Sequence, residues 1–296
     1  MTTKQTILIT GCSDHSLGSA LALAFHKAGW RVFASARNLS KLKLAEEAGI
    51  ETLKLDITSE ESIAACVAAV QELTGGPLDA LLNNAGAAYS LPLLDIDIDK
   101  AKGLFDLNVW SMLRVTRAFV PLLMQSRAGG RVINNTSGAS TVAGSMPWQG
   151  AYNASKAAAT SVTETLRLEL SPFGIRVINI ITGSVKSTFF DNAPPARLPP
   201  TSIYAPAKDI IEQKMAGAVM DENGADQNVW AAQVVRDLNK NRPTYWVWRG
   251  SHTTILRIAN LLPVGFMDSI MRKMTGLDLV EQRIKEQGDA GKVKSS

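Results

Sequence analysis

The chain has 296 residues, 46% of them hydrophobic and 20% charged, enough to bury a substantial core and too apolar for a disordered chain. Its 31 Lys and Arg are interspersed with 27 Asp and Glu, leaving a net +4; that mixing excludes the basic tract that nucleic-acid binding uses. The two cysteines, Cys12 and Cys66, have no Cys or His at ligand spacing, which excludes a disulfide framework or a zinc cluster and suits a reducing compartment.

Met1 to Thr6 is polar and runs directly into a strand, so neither a signal peptide nor a transit peptide is expected. Thr6–Thr10 is a short β-branched run stopped by Gly11, and the Ala/Leu-rich stretch from Ser19 to Ala28 predicts a helix after it. Strands are expected at Arg31–Ala36, Glu51–Leu55, Leu78–Leu82, Arg131–Asn135 and Ile175–Ile181. Helices are expected between them at Lys41–Ala48, Ser59–Leu73, Lys100–Gln125 and Gln149–Leu170. Parallel strands need crossovers of such length, so the alternation predicts an α/β fold, a doubly wound parallel sheet of the Rossmann type. A Pro-, Ala- and Ser-rich segment follows at 184–206, too long for an ordinary connection and suited to a substrate loop. Two more helices, Ala207–Met220 and Ala225–Asn239, then lead to a seventh strand at Tyr245–Trp248, and the last ten or so residues read as a loose tail.

The stretch from Thr10 to Gly18 joins the first strand to the first helix, with Gly11 and Gly18 at its outer positions. Glycines there let backbone amides approach a pyrophosphate at the helix N-terminus. About twenty residues on, where an NAD enzyme places an acid against the ribose 2′-hydroxyl, stand Ala36 and Arg37. An arginine can hold a 2′-phosphate by a charge-assisted fork, so NADP(H) is favoured; the plainer alternative is a solvated arginine beside Lys41 and Lys43. Asp56, after the third strand, suits the adenine amino group or a local Asx turn. Asn83-Asn-Ala-Gly86, with Asn84 at its turn, brings backbone to the adenosine ribose or simply ends a strand.

Tyr152 and Lys156 begin a helix at a spacing of four, which puts phenol and ammonium on one face. A cation beside a tyrosine lowers the cost of proton exchange by a group whose ordinary pKa is about 10. Thr10-Gly, Asn83-Asn-Ala-Gly, Asn108, Ser137 and Tyr152-xxx-Lys156 occur in the order and approximate spacing of the short-chain dehydrogenase/reductase family, which the chain resembles from about Thr6 to Phe190. The resemblance implies that Ser137 binds the substrate oxygen, Tyr152 exchanges the proton, Lys156 also holds the nicotinamide ribose, and Asn108 anchors a water relay. It further implies cofactor contacts by Leu17, by the backbone of Val185 toward the nicotinamide carboxamide, and by Ser187. Gly11-Cys-Ser, Asn108-Val-Trp110, Asn134-Asn-Thr-Ser137 and Gln149-Gly-Ala-Tyr-Asn-Ala-Ser-Lys156 are similar to fungal NADPH-dependent 1-acyldihydroxyacetone-phosphate-reductase-like members, which are ketone reductases. Many similar sequences serve fungal secondary metabolism.

Three departures from the family pattern stand out. The first loop is one residue longer, with Ser16 at the middle glycine position and Leu17-Gly18 matching the final Ile-Gly. Counting back from Tyr152 lands on Ala139, which implies a two-residue insertion between Gly138 and Gly150 and leaves Ser140 as the alternative to Ser137. Thr182-Gly183 replaces the usual Pro-Gly.

The histidines His15, His26 and His252 lie far apart and receive no catalytic role, and no metal is expected. Trp230, Trp246 and Trp248 are read as core or pocket wall. The apolar stretch 255–274, with Arg257, Arg272 and Lys273, predicts two short helices that either contact a membrane peripherally or cover a hydrophobic substrate. The expected partition is a Rossmann-type domain over 1–250 and a C-terminal helical extension with a loose tail over 251–296. The resulting expectation is a homo-oligomeric reductase that interconverts a hydrophobic ketone and a secondary alcohol, cytoplasmic or peripheral on endoplasmic reticulum or lipid droplets. The rival is a non-catalytic NADP(H)-binding regulator, against which the complete Asn108, Ser137, Tyr152 and Lys156 set argues.

Overall fold

The computed structural model describes residues 4–189, 196–216 and 224–294, with no side-chain detail over 287–294. Seven strands form one sheet: β1 (Thr6–Thr10), β2 (Arg31–Ala36), β3 (Glu51–Lys54), β4 (Ala80–Asn83), β5 (Arg131–Asn135), β6 (Arg176–Thr182) and β7 (Trp246–Arg249). Their order is β3-β2-β1-β4-β5-β6-β7, and every pairing is parallel. The order reverses between β1 and β4, so a crevice opens at their carboxyl ends, where ligands of such sheets bind.

Side chains alternate across each strand, and both faces are apolar because both are covered. Ile7 and Ile9 of β1 pack with Leu21 and Phe25 of α1 (Leu17–Lys27) and with Trp230 and Val234 of a later helix, Gln227–Leu238. Leu8 faces the other way, toward Val70 of α3 (Glu60–Thr74) and Phe119 of α5 (Ser111–Leu123). A short α2 (Lys43–Glu47) lies beside β3. Trp230 belongs to the core as expected.

The long helix expected over Lys100–Gln125 is divided. It begins as α4 (Ile98–Phe105), passes through a π-helical turn at Asp106–Trp110, and resumes as α5. A π turn accommodates one extra residue, which composition and periodicity do not register. Helix α6 (Gly150–Glu169) carries Tyr152 and Lys156. Beyond β6, α7 (Lys208–Met215) and α8 (Gln227–Leu238) precede β7; residues 217–220 of the first expected helix lie outside the described residues, as do Pro194 and Pro195 of the 184–206 segment. Three further helices close the chain: α9 (Thr253–Ala259), α10 (Asp268–Thr275) and α11 (Leu277–Lys294). Helix α11 is anchored where Val280 is buried with Trp148, Ile211 and Met215.

Candidate active site

The first loop is held by its own polar groups. The Ser16 hydroxyl donates to the Gly11 carbonyl at 3.1 Å and accepts from the Ser19 amide at 3.1 Å, capping α1. This leaves the amides of Leu17 and Gly18 at the head of the helix for an anion. Gly18 has no space for a side chain, since a Cβ would lie 2.2 Å from the Gly11 carbonyl oxygen. Gly11 has φ +71°, and a Cβ there would meet Ala85 Cα at 2.8 Å. The lengthened loop also places His15 at φ +62°, a left-handed conformation costly for a non-glycine residue. Asp14 accepts from the Lys43 and Leu44 amides and thereby ties the loop to α2.

Arg37 is exposed at the end of β2, and its charge reaches Asp56 across the sheet edge. The Asp56 carboxyl is held below its ordinary pKa chiefly by the backbone and hydroxyl of Thr58, with Arg37 a smaller contributor. Both Thr58 contacts, at 3.0 and 2.7 Å, fall on Oδ1, so the Asx turn and a site beside Arg37 coexist. The Asn84 amide nitrogen donates to the Thr10 and Gly11 carbonyls at 3.0 and 3.2 Å, bracing the loop against β4. Asn83 instead turns inward, donating to Thr116 and Asn134.

The residues Asn108, Ser137, Tyr152 and Lys156 come together at the ends of β4 and β5. Asn108 lies in the π turn, where its Nδ2 donates to the Ala87 carbonyl and to Ser155 Oγ, each at 3.0 Å, and its Oδ1 accepts from the Ala87 amide at 2.9 Å. Ser155 in turn donates to the Tyr152 carbonyl. The Ser137 side chain partly counters the rise of the Tyr152 pKa, and Lys156 Nζ sits 5.9 Å from the centre of the tyrosine ring. The Ser140 hydroxyl is buried without a partner, and of the two serines Ser137 is the one that bears on the Tyr152 phenol.

Burial pushes the Tyr152 phenol up to about 12, a rise that the Ser137 side chain partly offsets. Burial likewise pulls the Lys156 ammonium down to about 8. Near neutrality, the tyrosine therefore keeps its proton and the lysine is largely charged. Cys12 and Cys66 are buried free thiols, each raised to about 12 by burial, and take no part.

Over the site lies a roof built from parts of the expected substrate loop and C-terminal helices, through contacts that sequence spacing did not reveal. Phe189 stacks obliquely on Tyr152 with ring centres 5.8 Å apart. Val185 is bridged to Ala225, and Ser187 Oγ accepts from the Phe189 amide, which fixes the start of the 184–206 segment. Trp148, buried at φ +69°, packs edge-on to Tyr204 and donates its indole N–H to the Thr275 carbonyl at 3.0 Å. Helix α9 sits on the serine loop: a Cβ on Gly138 would lie 2.8 Å from Leu256 Cδ1, and the Ala143 amide donates to Asn260 Oδ1. No sequence signal links Leu256 or Thr275 to Ser137. Among the described residues, no cluster of three metal-ligating side chains occurs.

An anion-receptive helix head at the switch point, set beside a buried tyrosine and a buried lysine one helical turn apart, defines a dinucleotide-linked oxidoreductase. The sequence profile of the short chain dehydrogenase family matches residues 5–197. A short-chain dehydrogenase/reductase of Pestalotiopsis microspora is 45% identical over 285 residues, covering 95% of this chain and 98% of the relative. The NADPH-dependent 1-acyldihydroxyacetone phosphate reductase of Schizosaccharomyces pombe is 34% identical over 288 residues, covering 94% and 96%. A short-chain dehydrogenase from Streptomyces avermitilis has a similar structure, with a TM-score of 0.74 at 27% identity over 95% of this chain and 98% of the other. The chain belongs to the short-chain dehydrogenase/reductase family.

Proposed function

We propose that the protein is an NADPH-dependent reductase that converts a hydrophobic ketone into a secondary alcohol, with Tyr152 as proton donor. The observation that carries this reading is the buried Lys156 ammonium 5.9 Å from the ring centre of the buried Tyr152, one turn along the same helix. The residues fit the dinucleotide: the amides of Leu17 and Gly18 head a capped helix, Gly11 and Gly18 leave no room for a side chain, and Arg37 stands where a 2′-phosphate would lie. Bound NADPH supplies the hydride. Ser137 and Tyr152 together orient the ketone oxygen, and the phenol gives its proton to that oxygen as the carbon is reduced. Lys156 favours loss of that proton electrostatically and holds the ribose, while Asn108 fixes the turn of chain facing it. Val185 and Ser187 bound the nicotinamide end. NADPH dependence is also the named property of the Schizosaccharomyces pombe relative, and a Burkholderia cenocepacia short chain dehydrogenase of the same fold was solved with NADP (TM-score 0.69, 23% identity, covering 92% of this chain and 97% of that one).

The lining supports an apolar substrate, a lipid or a fungal secondary metabolite, with 1-acyldihydroxyacetone phosphate the alternative: Ala88, Ala139 and Ala151 cluster with Tyr152 and Phe189. In this reading, residues 1–250 form the catalytic domain and 251–296 an extension that roofs it. Two surfaces support further parts of the proposal. Leu261, Val264 and Phe266 are 84%, 90% and 62% exposed between α9 and α10, suiting peripheral contact with a membrane. No helix among the described residues is long and apolar enough to cross one. Trp110 and Leu168 are exposed on the long helical segments and suit a homo-oligomer, checked by sedimentation velocity. The decisive assay follows reduced-nicotinamide absorbance with NADPH and NADH over acyl-dihydroxyacetone phosphates, aromatic polyketide ketones and simple diketones. Turnover with NADPH that vanishes in Tyr152→Phe establishes the reading; tight NADPH binding without turnover on any ketone favours the regulator.

A further inference from the structure

The hydrogen bonds that brace the first loop continue without a break to Lys156, through two residues outside the predicted site. Asn135 Nδ2 donates to Asn84 Oδ1 at 2.9 Å, and Thr182 Oγ1 donates to Asn135 Oδ1 at 2.5 Å. The Asn135 backbone carbonyl accepts from Lys156 Nζ at 3.3 Å. Asn135, Thr182 and Lys156 are all more than nine-tenths buried.

Donor and acceptor capacities fix the direction of every link. The Thr10 and Gly11 carbonyls can only accept, so Asn84 must turn its amide nitrogen to them. Its Oδ1 is then left facing Asn135, which must answer with Nδ2. The Asn135 Oδ1 consequently faces Thr182 and needs a donor there. A threonine hydroxyl supplies one. Proline, the usual residue at this place in the family pattern, has none, and valine would match the shape of threonine while leaving a buried carbonyl oxygen unpartnered.

We propose that Thr182 and Asn135 are positioning residues that hold Lys156 in register with the Gly11 loop, so that the ammonium and the dinucleotide cradle are set by one hydrogen-bonded chain. The inference rests on the reductase reading, because Lys156 matters to catalysis only there. Neither residue touches the reacting atoms; each acts through the Asn135 carbonyl and through Asn84.

The test compares wild type with Thr182→Val, Thr182→Ser and Thr182→Cys. It measures NADPH affinity by nicotinamide fluorescence without ketone, kcat and its pH profile with the best ketone, and Tm. Thr182→Val is expected to weaken NADPH binding and lower kcat by about tenfold each, and to move a limb of the kcat profile by roughly one pH unit. Thr182→Ser restores all three, and Thr182→Cys, a weaker donor, falls between them, keeping the series readable should the valine variant fail to fold. A Thr182→Val protein with wild-type affinity, kcat and pH profile overturns the proposal, even if its Tm falls. A wild type that binds NADPH but reduces no ketone defeats the reductase reading alone, since the affinity series still decides whether Thr182 sets the cradle. A wild type that binds no NADPH defeats both.

Discussion

The floor and the roof of the site are built from different materials. The floor, at the carboxyl ends of β1, β4, β5 and β6, is a lattice of short polar contacts in which Thr10, Asn84, Asn135 and Thr182 satisfy one another. The roof, drawn from Trp148, residues 184–189 and 196–206, and the helices after β7, is mostly apolar packing with isolated hydrogen bonds such as Trp148 to Thr275. Directional bonds tolerate only substitutions that keep the donor or acceptor in place, whereas packed apolar groups can exchange for others of similar volume. The floor should therefore govern whether reduction occurs, and the roof which ketone is reduced.

The sharpest way to break this division is Tyr152→Phe, which should lower kcat by about 10³-fold while changing NADPH affinity little; stopped-flow kinetics and fluorescence titration check both. Next in size, Arg37→Ala should reduce the preference for NADPH over NADH by roughly 10–100-fold, read as the ratio of kcat/KM values. Gly18→Ala forces a Cβ into the Gly11 carbonyl and should cost on the order of 2 kcal/mol in denaturant unfolding, with NADPH affinity falling as well.

Lys156→Met tests the floor through pH. The Lys156 pKa is lowered from 10.5 to about 8 in the folded chain. Between those values the unfolded chain binds more protons, so stability rises with pH, and below about 8 the buried charge is a full penalty. Without dinucleotide, Lys156→Met should therefore be more stable than wild type at pH 7 by on the order of 2 kcal/mol, the gap closing toward pH 10. Tyr152 acts oppositely, losing stability as pH rises from 10 to its folded value near 12. Smallest of all, Leu256→Ala in the roof should leave kcat for a small diketone within about twofold and alter KM for bulky ketones several-fold; an equal loss for every ketone would assign Leu256 to the floor.

The same contrast explains what could be read in advance. Buried parallel strands are apolar runs bounded by turn residues, so β1, β2, β5 and β6 were legible; short motifs at strand ends pointed to Gly11, Asn84 and Ser137, and the spacing of four at the head of α6 pointed to Tyr152 and Lys156. The π turn was hidden because an extra residue inside a helix leaves no compositional mark. The bounds of helix α11 within the expected C-terminal helical extension were not legible, because its sequence is largely polar and its anchors, Leu277 and Val280, are few. Thr182 was visible as a departure from Pro-Gly, yet its purpose needs Asn135, 47 residues earlier, to be seen beside it. Leu256 meets Gly138 across a still longer separation, by packing that no local pattern encodes.

The bond from Trp148 to Thr275 spans 127 residues of chain. At synthesis rates of about 5–20 residues per second, roughly 6–25 s separate the emergence of donor and acceptor during translation. Within that interval helix α6 and then β6 and β7 also emerge, so the cradle and the Tyr152 helix can form before the packing of Trp148 against α10 is complete. Under the proposed function, the elements that hold the dinucleotide are therefore in place before the roof proposed to select the ketone is closed.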